Sequence, residues 1–206
     1  MAGDTVNLAL NGAWLLNEGQ RSALIKWIKQ GFAPIVTKAG KTLSITMPGK
    51  LKRPAAAPRS LTLKLNFEKD EKVPARRCGF VLGTCGTGNI YITAHQYMGV
   101  CGDKPKIRNT RVLTTDEVLG HALANTGIHE LGHYVGGFDD NRISGNFMST
   151  LGPPRSSRTV QSMRAYFAGT MSWTPDQEKE LVARIKSGNM AFDEEFTVKS
   201  VPAGSR

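Results

Sequence analysis

The chain has 206 residues, 40% hydrophobic and 21% charged, with a formal net charge of +10. That is the length of one domain built as two lobes, and the composition of an ordinary globular protein rather than a disordered or fibrous one. No apolar run approaches the ~20 residues needed to cross a bilayer.

In chain order, residues 6–10 (Val-Asn-Leu-Ala-Leu) alternate and predict a first strand. Asn17 to Gln20 is a capping box that opens a helix. Its apolar side is Leu24, Ile25, Trp27 and Ile28, and Gly31 is expected to end it. Residues 35–37 and 43–47 read as two strands of a hairpin turning at residues 38–41. The Pro-, Gly- and Lys-rich stretch 47–60 reads as an exposed loop. Strict alternation over residues 61–67 predicts a half-buried strand. Segments 79–82 and 89–95 read as further strands around a Gly-rich turn. Thr114 to Glu117 forms a second capping box, starting a helix expected to run to about Tyr134. Residues 161–168 suggest a short helix. Thr174, Pro175 and Gln177 supply a cap, a proline at the first helical position and a capping box, for a helix that Gly188 stops. The mixture of strands and helices makes the expected class α+β.

Within the helix begun near residue 114, His129 to Asp139 spell H-E-x-x-H-x-x-G-x-x-D. Residues four apart lie on one helical face, so His129 and His133 can hold one metal ion from the same side. Glu130 is turned toward a water on that metal and would serve as general base and acid. A catalytic zinc takes three protein ligands plus water. Gly136 can take the left-handed conformation that ends a helix, and the chain then has three residues in which to bring Asp139 back as the third ligand. Asp140 is the adjacent rival. At residue frequencies of a few per cent, the full pattern arises by chance in roughly one chain in 10⁵. Two imidazoles and a carboxylate suit Zn2+, one catalytic ion. His121, two turns earlier, lies too far along the helix to share that ion.

This segment resembles the metzincin zinc peptidases, whose helix motif runs on to a glycine and a third ligand and is followed by a Met-containing turn. Asp as third ligand is similar to the snapalysin branch, small bacterial secreted neutral proteases. Met148, within Asn146-Phe-Met-Ser-Thr150, matches the Met-turn. The resemblance covers about residues 114–150. It implies a metzincin-like fold: a twisted mixed sheet with the active-site helix in an upper lobe (about 1–136), and a small irregular lower lobe with a C-terminal helix (about 137–206). It further implies an endopeptidase that attacks peptide bonds with a zinc-held water activated by Glu130, on a protein or peptide substrate. The substrate would add as a strand along an upper-lobe edge strand, for which residues 89–97 are the candidate: Asn89, Ile90, Tyr91, Ile92, Thr93, Ala94 and His95. Some metzincins carry a Tyr two residues past the Met; Thr150 stands there, and Tyr166 is the alternative phenol for stabilising the transition state. Arg155 and Arg158, beyond the Met-turn, would wall the pocket after the cut and favour acidic side chains.

The positive charge favours acidic partners and leaves nucleic acid open, but no aromatic-interleaved basic motif or Cys/His finger points to DNA. A peptidoglycan-cleaving or delivered effector peptidase, a DNA-associated protease and a zinc-binding module without catalysis are the competing readings. The start of the chain lacks the basic, apolar character of a secretory signal. A cytoplasmic protein, signal-independent export and a mature secreted form all fit. Cys78, Cys85 and Cys101 are an odd set, allowing at most one internal disulfide.

Overall fold

The computed structural model describes residues 5–49, 61–68, 83–84, 89–92, 115–150 and 160–191. The protein is a mixed α+β fold. Strands β1 (Thr5–Asn11), β2 (Thr42–Thr46), β3 (Leu61–Glu68), β4 (Gly83–Thr84) and β5 (Asn89–Tyr91) form one sheet in the order β2-β1-β3-β5-β4. β1 pairs in parallel with β2 and β3, and β3 with β5; β4 runs antiparallel to β5. Val6, Leu8 and Leu10 of β1 and Leu63, Leu65 and Phe67 of β3 are buried by the alternation that marks them as strands.

The parallel β1–β2 pair needs a crossover, and α1 (Glu18–Lys38) supplies it. Asn17 and Gln20 form the expected capping box. The predicted hairpin at 35–47 is corrected: residues 35–37 belong to α1, and only 42–46 form a strand. Gly31 does not end the helix. Its missing side chain admits Ile128 and Phe147; a Cβ there would stand 2.5 Å from the Ile128 methyl. Pro34 is exposed and sacrifices one backbone bond, while the buried Phe32, Ile35 and Val36 carry the apolar stripe past it. The left-handed residue after the helix is Gly40, at φ 75°.

α2 (Asp116–Leu131) packs along α1 and is buried over most of its circumference. Its cap is Thr115, one residue later than expected, whose hydroxyl accepts from Val118 N. Glu117 is thereby released from capping and accepts from Lys26 Nζ at 2.7 Å and Trp27 Nε1 at 2.8 Å. Asp116 accepts from Asn17 and Gln20, which ties the two helix starts together. Close approaches at Gly19/Asp116, Ala23/Gly120 and Gly31/Ile128 advance in step, so the helices run parallel. The Trp27 and His121 rings stack at 3.5 Å across this seam, 3° from coplanar. Two further helices, α3 (Val160–Phe167) and α4 (Pro175–Ser187), complete the described fold. α4 has the predicted Thr174 capping box and ends at Gly188, φ 80°. No helix among the described residues is long and apolar enough to cross a membrane. The three cysteines lie outside the described residues.

The α1–α2 seam can be probed by packing and by pH. A Cβ on Gly120 would meet backbone, Gln20 O and Leu24 N, each at 2.8 Å. Overpacking of this kind costs about 1–3 kcal/mol, and a backbone neighbour cannot rotate away. That outweighs the ~1 kcal/mol of helix propensity that alanine offers over glycine. Gly120→Ala is therefore expected to lower the midpoint of urea unfolding, and an unchanged or raised midpoint would count against the seam. Burial pushes the His121 imidazole down from 6.5 to about 4, with Glu117 opposing the shift and Lys26 adding to it. Between those pH values the unfolded chain binds a proton that the folded chain refuses. The stability this site contributes is complete above about pH 6.5 and is lost as pH falls toward 4. His121→Phe, which keeps the stack without a titrating group, is expected to flatten the melting temperature across that window.

Candidate metal centre

The regular part of the motif helix stops at Leu131, and residues Gly132–Gly136 continue as one π turn. A π turn holds an extra residue per turn and moves everything downstream by one position. The left-handed residue is accordingly Gly137, at φ 68°, and not Gly136. Gly136 serves a different purpose. The Phe138 ring folds back over it, and a Cβ there would stand 2.6 Å from that ring. Three residues beyond Gly137 comes Asp140.

This displacement brings Asp140, rather than the expected Asp139, into the group that could hold a metal. His129, His133 and Asp140 place their ligand atoms within 4.8 Å of one another. Asp139, the expected ligand, is exposed and lies outside the group. Asp140 Oδ1 stands 3.4 Å from Nε2 of each histidine, and the two Nε2 atoms are 3.0 Å apart. Ligands about 2.0–2.1 Å from a tetrahedral zinc are themselves about 3.3–3.4 Å apart, so the three atoms fit one such ion.

The hydrogen bonds on the far side of each ring support this fit. His129 Nδ1 donates to Phe147 O at 2.8 Å, and His133 Nδ1 to Phe138 O at 2.5 Å. A carbonyl only accepts, so both ring protons sit on Nδ1 and both Nε2 lone pairs are free. Two imidazole lone pairs and a carboxylate oxygen then converge with no proton donor among them, an arrangement a cation relieves. Protonation is a poor substitute at His129, where burial lowers the pKa most, the Phe147 carbonyl opposes, His133 lowers it further and Asp140 opposes.

Glu130 follows His129 on the helix, 4% exposed. Its Oε2 is buried and has no hydrogen-bond partner among the described residues. Burial, and then the Asp140 carboxylate, push its carboxyl up to about 8. A metal charge at the three ligand atoms would oppose that shift. Raised in this way, the carboxyl keeps its proton at neutral pH until a nearby positive charge favours the ionised form.

Met148 is fully buried. Its sulfur packs against Gly132, which leaves room for it by lacking a side chain. The turn around it is held by Asn146, 2% exposed, a residue the motif does not point to. Asn146 Nδ2 donates to Ser172 O at 2.9 Å and to Gln177 Oε1 at 2.7 Å. Its Oδ1 accepts from Asn141 Nδ2 at 2.8 Å and from Met148 N at 3.0 Å. All four of its hydrogen-bonding sites are used. Gln177 is also the reciprocal residue of the α4 capping box, accepting from Thr174 N. Thr150 donates through both N and Oγ1 to Asn141 O. Tyr166 donates to Ser149 O at 3.2 Å, which braces the same loop; the expected transition-state role would require that proton.

The expected substrate edge is corrected as well. β5 lies between β3 and β4: Asn89 and Ile90 are paired on both sides, and Tyr91 on the β3 side. Ile90 and Ile92 are core residues, 0% and 2% exposed. The chain crosses beyond β5 to lay down β4 before returning inside it, which local alternation does not reveal. The outer strands of the described sheet are β2 and β4, and β4 is the one next to β5. Thr93, Ala94, His95, Arg155 and Arg158 lie outside the described residues.

No protein-family model, no curated protein and no solved structure matches the chain. The ligand assignment therefore rests on these distances and can be tested directly. Asp140→Ala is expected to weaken zinc binding at least tenfold in a chelator competition, as loss of a ligand or its support does by about 10–100-fold. Asp139→Ala is expected to leave it unchanged. The reverse order would restore Asp139 as the ligand.

Proposed function

We propose that the protein is a zinc-dependent metalloendopeptidase of the metzincin type, similar to the snapalysin branch, with His129, His133 and Asp140 as metal ligands and Glu130 as general base and acid. The observation that carries the reading is the convergence of two Nε2 atoms and one carboxylate oxygen beside a buried, unpartnered Glu130 oxygen. Met148 beneath the helix and a mixed sheet with one antiparallel outer strand agree with it. A bound zinc would supply Lewis-acid polarisation of the scissile carbonyl and acidify water at the site.

The chain's own residues do the rest. The outer edge of β4 has no paired strand among the described residues, and an extended peptide would bind there as an added strand. Phe147 O and Phe138 O keep the imidazole protons on Nδ1, so neither ring diverts the proton taken from the attacking water. Glu130 Oε2 receives that proton and passes it to the leaving amine nitrogen. The carboxylate is poised for this because little water surrounds it: burial makes its ionised form a stronger base than an exposed glutamate.

The test is hydrolysis of casein and of a mixed peptide library by wild type and Glu130→Gln, with bound metal quantified in both. Glu130→Gln is expected to lower kcat by at least about 10²-fold, the lower range of acid–base contributions, while keeping zinc at the wild-type stoichiometry. Turnover by the zinc-loaded variant at the wild-type rate would remove Glu130 from the reaction. Zinc bound by both with cleavage by neither would turn the reading toward a binding module.

A further inference from the structure

We propose that Trp173 is the positioning residue of the metal centre: one indole seats both phenylalanines whose carbonyls hold the two histidines. The proposal rests on the reading of His129, His133 and Asp140 as metal ligands. The Phe147 ring lies 4.8 Å from the Trp173 ring, and the Phe138 ring 6.2 Å from it, centroid to centroid. Both contacts are tilted, at 41° and 56°, within the range of favourable aromatic pairs. Phe147 O is the acceptor for His129 Nδ1, and Phe138 O the acceptor for His133 Nδ1.

The indole also reaches the motif helix between the two histidines. A Cβ on Gly132 would stand 3.0 Å from Trp173 Cη2 and 3.1 Å from Cζ3, so glycine at 132 admits the ring. A backbone bond from Phe147 N to Ser172 O, at 3.1 Å, joins the two segments just before the tryptophan. Trp173 thus contacts three separate stretches: the helix at 132, the return loop at 138 and the Met148 turn at 147. Its Nε1 is buried with no partner among the described residues. The side chain therefore acts through its apolar faces, and the unmade bond counts against it. Without the indole, each Phe ring loses its seat, each carbonyl loses a fixed direction, and the imidazoles are free to turn.

The experiment measures zinc dissociation constants by chelator competition, and visible spectra of the cobalt-substituted protein. The variants are Trp173→Leu, Trp173→Phe and a distant core control, Val6→Ala. Trp173→Leu is expected to raise the zinc Kd about 10–100-fold, as loss of support for ligating histidines does, and Trp173→Phe by a smaller factor of about 3–10. The cobalt spectrum shifts in both, because the imidazole directions change. Val6→Ala, which removes a fully buried β1 side chain, lowers the melting temperature and leaves Kd and spectrum at wild-type values. Wild-type zinc and cobalt behaviour in a folded Trp173→Leu protein overturns the proposal, as does an equal loss of zinc affinity in Val6→Ala. If Trp173→Leu does not fold, Trp173→Phe decides by the same comparison. A wild type that binds no zinc defeats the metal centre itself, and this proposal with it.

Discussion

The geometry of the candidate metal centre depends on where two imidazole protons are kept. A neutral histidine presents a lone pair on Nε2 only while its proton stays on Nδ1. Here each Nδ1–H is held by a main-chain carbonyl, Phe147 O for His129 and Phe138 O for His133. Main-chain acceptors suit this role, because a carbonyl cannot change protonation state and cannot swing on a side-chain rotor. They do require the backbone of two loops to be placed to a few tenths of an ångström. The π turn and Gly137 place the first loop. The saturated Asn146 network places the second and anchors it to the start of α4.

The packing around α2 supplies rigidity and a low dielectric. α2 is the motif helix and also the most enclosed helix of the fold, with the parallel seam to α1 on one side and the β3–β5 region on another. Gly120, Gly127 and Gly132 each let a neighbour come close: the α1 backbone, Leu65 with Ile90, and Met148 with Trp173. Enclosure on this scale leaves Glu130 Oε2 without a partner among the described residues, at a cost of about 1–3 kcal/mol for an unsatisfied buried acceptor. The apolar surface that α2 buries offsets that cost. In the proposed function this oxygen is the one that takes up a proton. Exceptions to local rules of this sort gather at functional sites.

Much of this was legible in the sequence wherever a local signal and the tertiary outcome agreed. The capping boxes at Asn17 and Thr174, the alternation of β1 and β3, the helix of the motif and the buried methionine all follow from short-range chemistry. What escaped were features decided by packing. α1 runs through Gly31 and Pro34 because its stripe Leu24, Ile28, Phe32 and Ile35 continues inward while the proline faces water. Gly31 is a point of helix contact and does not act as a stop. β5 lies inside the sheet and β4 outside it, an order that no alternation pattern encodes. Asn146 opens the segment that matches the Met-turn, but nothing in that match singles out its side chain as the one that holds the turn. Trp173 was equally silent, because its partners Phe138 and Phe147 come from loops whose course was unknown.

The position of the candidate third ligand differs by one residue from the one the motif's spacing predicts. The H-x-x-x-H part is read on a regular helix, where four residues return to the same face, and that part needs no further information. The return to the metal is counted from the left-handed glycine, and the chain has two adjacent candidates, Gly136 and Gly137. Counting from Gly136 assumes that the helix stays α to its end. The Phe138 ring occupies the space above Gly136, the helix closes in a π turn, and the reversal falls at Gly137. With a side chain at 136 the ring could not fold back; with a side chain at 137 the left-handed turn would be strained. The glycine pair thus accommodates both the ring and the reversal that brings Asp140 beside the histidines, and the main-chain carbonyl of the same Phe138 accepts from His133 Nδ1.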